Sequence, residues 1–334
     1  MLTCPTQKYA ARYPFRMIER IAIIDMGTNT FHLLVAEWRE GELQILHREK
    51  MPVKLGMGGI NQDLITVEAI HRGLMCLRNF AVLLKKWQVH KAIGFGTSAL
   101  RSARNGKDII ELFRRETGMN LKLISGEEEA EYIYYGVRSA LDLGLEKSLI
   151  VDIGGGSVEF IVADREMMYW KRSFEMGAQR LLELYHKHEP IPAEEIHQLG
   201  GYFENQLKPL AEAVRRFVPQ TLVGSSGTFD TLSEIYCIRK GIDIGPDSPE
   251  TPLSVPDFFT IHNELISKNR SERMQIPGMI EMRVDMIVVA SCLVKYLIDT
   301  YSFKRIRVSS YSLKEGVLAR WKDNSEPGRQ TTNQ

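Results

Sequence analysis

The chain has 334 residues, 44% of them hydrophobic and 25% charged, with a net charge of +1. That length favours two domains over a single core, and the composition is that of an ordinary globular protein. The balanced charge gives no support to a nucleic-acid coat or a polybasic membrane surface, but it leaves room for a local anion site built from a few aimed donors. Cys4, Cys76, Cys237 and Cys292 are scattered and form no C-x-x-C pair. This argues against zinc and disulfide frameworks and for a reduced, cytoplasmic protein.

Residues 1–16 carry no apolar run long enough for a signal peptide and read as a disordered extension, with Met17 a second candidate for the start. No segment reaches the length of a membrane span. The first strand begins at Ile21, and a small-residue turn at Asp25 to Thr30 leads into a second strand. A third strand covers Leu43 to His47, followed by the turn Gly56-Met57-Gly58-Gly59. Apolar positions at helical spacing predict a helix from Thr66 to Lys86. Next come a strand at Lys91 to Phe95, a helix at Lys107 to Thr117 stopped by Gly118, and a strand at Leu121 to Ile124.

The run Ile21 to Glu37 then recurs without a gap as Ser148 to Asp164, at the constant offset that carries Asp25 to Asp152. Two copies so far apart predict two lobes of similar topology, residues 17–133 and 134–322. The second copy continues with a strand at Met168 to Phe174, a helix from Ala178, one long helix from Ala193 to Phe217, and a strand at Thr221 to Val223. A helix through Cys237 and a proline-rich loop, Gly241 to Pro256, follow. The chain closes with a helix at Met282 to Thr300, a strand at Arg305 to Ser309, a helix at Leu313 to Trp321 that could return to the first lobe, and a disordered tail, 323–334. The class is α/β throughout.

Five segments carry chemistry. Asp25 ends a buried strand, where a carboxylate is costly unless it meets a cation or donors. It reads as a ligand of a metal or of a metal-bound water, while Thr28 and Asn29 in the turn can bond phosphate; a plain hairpin turn is the alternative. Asp152-Ile153-Gly154-Gly155-Gly156-Ser157 is the sharper motif, since three glycines weaken a strand pair unless a ligand lies against the peptide groups. Neither a Walker A loop nor a dinucleotide fingerprint fits, because the turn leads into a strand. Glu159 shares the face of Ser157.

Gly224-Ser225-Ser226-Gly227-Thr228 opens a helix and could hold an anion or simply cap it. In Ser125-Gly126-Glu127-Glu128-Glu129-Ala130-Glu131, only one or two carboxylates can face a cleft, and the remainder suit a helix N-terminus. Arg101, in Gly96-Thr97-Ser98-Ala99-Leu100-Arg101, could fork onto a phosphate or lie on the surface. His186 and His188 read as surface residues and His32, the counterpart of Glu159 in the repeat, as structural.

Together these motifs resemble the exopolyphosphatase and guanosine pentaphosphate phosphohydrolase (Ppx/GppA) family, over roughly Ile21 to Arg320. The resemblance implies a two-lobed, internally duplicated actin-like (ribonuclease H-like) fold with its active site in the interlobe cleft. It implies that Glu129, with Glu128 as fallback, is the general base for the attacking water, and that Asp25, Asp152 and Glu159 hold Mg²⁺ or its waters. It further implies that Thr28, Asn29, Arg101, Gly154, Gly155, Gly156, Ser157, Gly224, Ser226, Gly227 and Thr228 surround phosphate. The expected substrate is inorganic polyphosphate. The alternatives are 5′-dephosphorylation of pppGpp, or a nucleotide sensor with weak turnover. No nucleic-acid or membrane partner is expected, and a homodimer is left open. Longer relatives carry a C-terminal HD-type helical domain, for which this sequence offers no segment.

Overall fold

The structure, a computed structural model, describes residues 19–39, 42–245 and 248–325. The expected leader, with Met17 and Cys4, and the tail beyond Ser325 lie outside these residues. Two sheets organise the chain. The first contains β1 (Glu19–Met26), β2 (Thr30–Arg39), β3 (Glu42–Pro52), β4 (Lys91–Gly96) and β5 (Asn120–Leu123), in the order β3-β2-β1-β4-β5. The second contains β6 (Ser148–Ile153), β7 (Val158–Ala163), β8 (Met168–Phe174), β9 (Thr221–Ser225), β10 (Glu250–Thr251) and β11 (Ile306–Ser309), and read from β8 its order is β8-β7-β6-β9-β11-β10. Five strands therefore repeat one topology: an antiparallel meander of three, then two parallel strands beside its first member. The sequence repeat is the meander's first hairpin, and the order of the sheets extends the duplication well past it.

Strand alternation decides which side chains face the space between the sheets. In β1, Ala22, Ile24 and Met26 pack outward under α1 (Val67–Lys86), α2 (Ser98–Ser102) and α3 (Gly106–Thr117). Ile21 and Ile23 pack inward, and Asp25 shares their parity. In the second lobe Leu149, Val151 and Ile153 face the outer helices, while Ile150, Ile161 and Val223 face inward on the parity of Asp152, Glu159 and Ser225. The middle layer is α4 (Gly126–Ala140) packed on α12 (Leu313–Ser325). The lobe boundary read after Ile133 thus falls inside α4. The last helix, α12, also touches β1 of the first lobe and runs beyond Trp321.

Three expectations for the outer helices change. The single helix from Ala193 is two, α6 (Ala193–Gln206) and α7 (Lys208–Phe217), after α5 (Ala178–Tyr185). Pro209 stands in the first turn of α7, where its missing N–H is tolerated but would break a continuous helix. After α8 (Ser226–Lys240), the proline-rich loop ends in an unforeseen α9 (Val255–Ser267) and the short α10 (Arg270–Arg273). Pro256, expected to end the loop, sits in the helix's first turn behind an N-capping Ser254. Finally, α11 (Ile287–Tyr301) starts five residues after Met282, the intervening segment being turns. None of the helices among the described residues is long and apolar enough to cross a membrane.

Candidate active site

The inward-facing residues meet in a cavity of about 90 Å³ between the lobes. That is well above the roughly 10–15 Å³ needed for one water, and it suits a phosphoryl group with its nucleophile. Asp25, Thr28, Asn29, Glu129, Asp152, Gly154, Gly155, Gly156, Ser157, Glu159 and Ser226 all line it. Most of the residues singled out from the sequence therefore come together.

Both hairpin turns are built alike. Gly27 N donates to Thr30 O at 3.1 Å, and Gly154 N donates to Ser157 O at 3.0 Å. The carbonyls of each turn are tied back to a later segment. Thr28 O accepts from Gly56 N, and Asn29 O accepts from Val53 N and Lys54 N. The carbonyls of Gly154, Gly155 and Gly156 accept from Ala178 N, Gln179 N and Gly177 N. With their carbonyls turned away, the N–H groups of Gly155 and Gly156 have no protein acceptor among the described residues and border the cavity.

The glycines themselves are required by lobe contact. A Cβ on Gly155 would stand 2.9 Å from Asn29 Nδ2 and 3.1 Å from Thr28 Cβ, and one on Gly156 would collide with Ser98 Oγ and Thr28 Oγ1. The ligand expected to explain the triple glycine thus gains its donors because the first lobe's side chains take the Cβ space.

Four carboxylates converge with few cations among them. Burial is the main cause that pushes Asp25 up to about 6, with Asp152 adding to it and Lys314 opposing. Glu129 rises to about 7, again chiefly through burial, while Arg101 draws it back. Asp152 is raised by burial despite hydrogen bonds from Ser225 Oγ (2.7 Å) and Ser226 Oγ (2.8 Å). Glu159 is raised well above the usual carboxylate range by burial and by Glu129, although its Oε1 accepts from Ser157 Oγ (2.6 Å) and Ser173 Oγ (2.7 Å). Carboxylates crowded in this way favour a bound cation, which would supply the missing charge. No group of three His, Cys, Asp or Glu among the described residues forms a metal cage. A magnesium-like ion needs none, because one or two carboxylates, waters and substrate phosphates suffice. The donor set fits such an ion.

Other placements depart from the motif reading. Glu128 is exposed and closes a capping box with Ser125 at the start of α4, so it lies outside the cavity. Glu127 is exposed, and Glu131 pairs with Lys171 and Arg320, leaving Glu129 as the single cavity carboxylate of that run. Ser226 and Ser157 spend their hydroxyls on Asp152 and Glu159. Within the Gly224 to Thr228 segment, Gly224 makes room for the Phe229 ring and Gly227 for the Arg283 guanidinium, and Thr228 is buried. None of these three lines the cavity. Asn29 turns its amide nitrogen to Met286 Sδ and leaves Oδ1 buried without a partner. Arg101 is occupied by two carboxylates, Glu129 through Nη1 (2.7 Å) and Glu175. His32 lines the cavity with its imidazole held neutral by burial, then by Lys314 and Lys50. The His186 side chain, read as surface, is buried beside Glu189.

The sequence reading missed Ser98, Ser225, Arg283 and Lys314. Strand parity could have found Ser225, since it stands beside Asp152 in the β6–β9 register. Arg283 lines the cavity with Nε buried and unpartnered, and no motif flags it.

Two sheets of one topology clasping a carboxylate-lined cleft define the actin-like, two-lobed fold. Residues 34–325 match the Ppx/GppA phosphatase family. The chain is 42% identical to an exopolyphosphatase from Cytophaga hutchinsonii of known structure, covering 93% of this chain and 100% of that one with a TM-score of 0.90. A Ppx/GppA family member from Aquifex aeolicus shares the fold, with a TM-score of 0.75, 23% identity, and coverage of 92% and 100%. A Haemophilus influenzae protein provisionally named an exopolyphosphatase is 28% identical over 90% of this chain and 91% of its own. The chain belongs to the Ppx/GppA phosphatase family and is a hydrolase of phosphoanhydride bonds.

Proposed function

We propose that the protein is an exopolyphosphatase that releases the terminal phosphate of inorganic polyphosphate, with Glu129 as the general base. The observation that supports this most directly is Glu129 itself: a carboxylate buried in the cleft, raised to about 7, and bonded to Arg101. A base with that proton affinity takes a proton from water near neutral pH. Arg101 holds it in one orientation. The N–H groups of Gly155 and Gly156, with the Arg283 guanidinium, face the space where phosphoryl oxygens would lie and would oppose their developing charge. Asp25, Asp152 and Glu159 would hold a divalent cation, Mg²⁺ in this proposal, whose chemistry is to neutralise charge on the phosphates. The same reading keeps 17–133 and 134–322 as lobes that close over the substrate, and the reduced, buried Cys76, Cys237 and Cys292 suit a cytoplasmic setting.

The test is phosphate release from polyphosphate, pppGpp and ATP, with and without Mg²⁺, for wild type and Glu129→Gln. The variant should lose about 10²–10⁴-fold in kcat while still binding polyphosphate. The wild-type rate should rise with pH through an acid limb no higher than about 7, because the base works only when deprotonated and a bound cation would draw its proton affinity down. Preference for pppGpp would replace the substrate, and unchanged turnover in Glu129→Gln would remove the base.

A further inference from the structure

Outside the four cavity carboxylates, an acidic side chain sits where guanidinium donors from both lobes converge. Glu175 follows β8 in the second lobe and is exposed. Its Oε1 accepts from Arg101 Nε at 3.2 Å and Nη2 at 2.9 Å. Its Oε2 accepts from Arg180 Nη2 at 3.2 Å and from Ser98 Oγ. Two guanidinium groups and a hydroxyl aimed at one point are the donors that recognise phosphate oxygens.

These donors are held in place by other contacts. Arg180 also donates to Gly156 O (3.0 Å), to Ile60 O across the cleft (2.7 Å) and to Ser102 Oγ (2.8 Å). Arg101 is anchored on Glu129, and Ser98 lines the catalytic cavity. The acceptor is the loosest member: the Glu175 side chain is 40% exposed, against 19% for Arg101 and 9% for Arg180. Nothing among the described residues other than these donors holds its carboxylate.

Building on the phosphohydrolase reading above, we propose that Arg101, Arg180 and Ser98 form an anion subsite for a substrate phosphate other than the one transferred, and that Glu175 is its internal occupant. A chain of several phosphates brings more charge and more acceptor oxygens than one carboxylate, so it displaces Glu175 outward to solvent. Arg101 then passes its Nε and Nη2 to the phosphate while Nη1 stays on Glu129. Orthophosphate, held in the cavity alone, gains nothing from the subsite. Glu175 thereby selects for polyanions and holds the cleft closed between turnovers, since it ties the second lobe to Ser98 and Arg101 of the first.

The experiment measures binding of inorganic tripolyphosphate by calorimetry to the full chain, with and without Mg²⁺, for wild type, Glu175→Gln and Glu175→Ala, alongside kcat and KM on polyphosphate. Both variants should bind tripolyphosphate about two- to fivefold more tightly and show a KM lower by a similar factor, the scale of a partly exposed ion pair. The gain should shrink at about 0.5 M salt, where exposed charges are screened. Equal or weaker tripolyphosphate binding overturns the proposal. So does a fall in kcat with KM unmoved, which would make Glu175 a brace for Arg101. If no phosphoanhydride is hydrolysed, the exopolyphosphatase reading fails, while the tripolyphosphate comparison still decides the role of Glu175.

Discussion

The two hairpins at the cleft share a backbone and an aspartate, and differ in the side chains around it. Asp25 pairs across its hairpin with His32, and Asp152 pairs with Glu159. Beside Asp25 in the parallel strand stands Phe95, whereas beside Asp152 stands Ser225. Asp152 therefore receives two hydroxyls, while Asp25 accepts no side-chain hydrogen bond among the described residues. Thr28 and Asn29 carry side chains across the cleft into space that Gly155 and Gly156, their counterparts in the repeat, leave free. Exact symmetry would fail here, because two loops that both bear side chains could not close on each other. One lobe supplies packing and an unpartnered carboxylate; the other supplies bare N–H groups and a carboxylate already held in place.

The largest break in that comparison comes from giving the second loop a side chain. Gly156→Ala puts a methyl into Ser98 Oγ and Thr28 Oγ1, neither of which sits on a long flexible stem. The lobes should be propped apart, with kcat/KM down about 10–100-fold from misplacement of the reacting groups. Small-angle scattering should show a larger radius of gyration. Gly154→Ala, whose Cβ would meet only Ser157 O at 3.1 Å, should cost less. Equal compactness of Gly156→Ala and wild type would refute the packing explanation for the triple glycine.

A smaller effect, of unusual sign, is expected at Asp25. Its folded-state value of about 6 lies above its ordinary 3.8, so the folded protein binds the proton more tightly than the unfolded chain. The ionised carboxylate thus opposes folding, and this penalty grows as pH rises from about 4 to 6 and persists above. Asp25→Asn should stabilise the metal-free protein at pH 8 by about 1–2 kcal/mol, after discounting for the opening to the cleft. The gain should vanish below about pH 4, and turnover should fall. Asp152→Asn should gain less, since its amide would present a donor to Ser225 and Ser226. A destabilised Asp25→Asn at pH 8 would mean that the carboxylate has a partner after all.

Much of this was legible in the sequence because it rests on local periodicity. The constant offset between copies revealed the duplication and matched Asp25 to Asp152, and strand parity put Glu159 on the face of Ser157. What the sequence hid depends on chain segments far apart meeting. Arg283 lies in a turn before α11, and nothing in its neighbours marks it as a cleft residue. Glu128 and Glu129 are adjacent glutamates, and only the capping box on Ser125 tells which one turns away. Ser226 resembled a phosphate ligand, yet its hydroxyl, like that of the overlooked Ser225, bonds Asp152, a partner more than 70 positions away.

The smallest expected effect isolates that last contact. Ser225 is fully buried, and its hydroxyl is one of two on Asp152 Oδ2. Ser225→Ala should cost about 1 kcal/mol at pH 8, the usual net worth of one hydrogen bond, read from the urea midpoint of the metal-free protein. The lost donor normally favours the ionised carboxylate, so Asp152 should hold its proton still more tightly in the variant. The folded variant then takes up that proton at a higher pH than wild type, and protonation relieves it of the unmet charge. The cost should therefore shrink as pH falls toward the range where Asp152 protonates. A cost independent of pH would show that Ser225 acts by filling space, and that the two hairpins differ in packing alone.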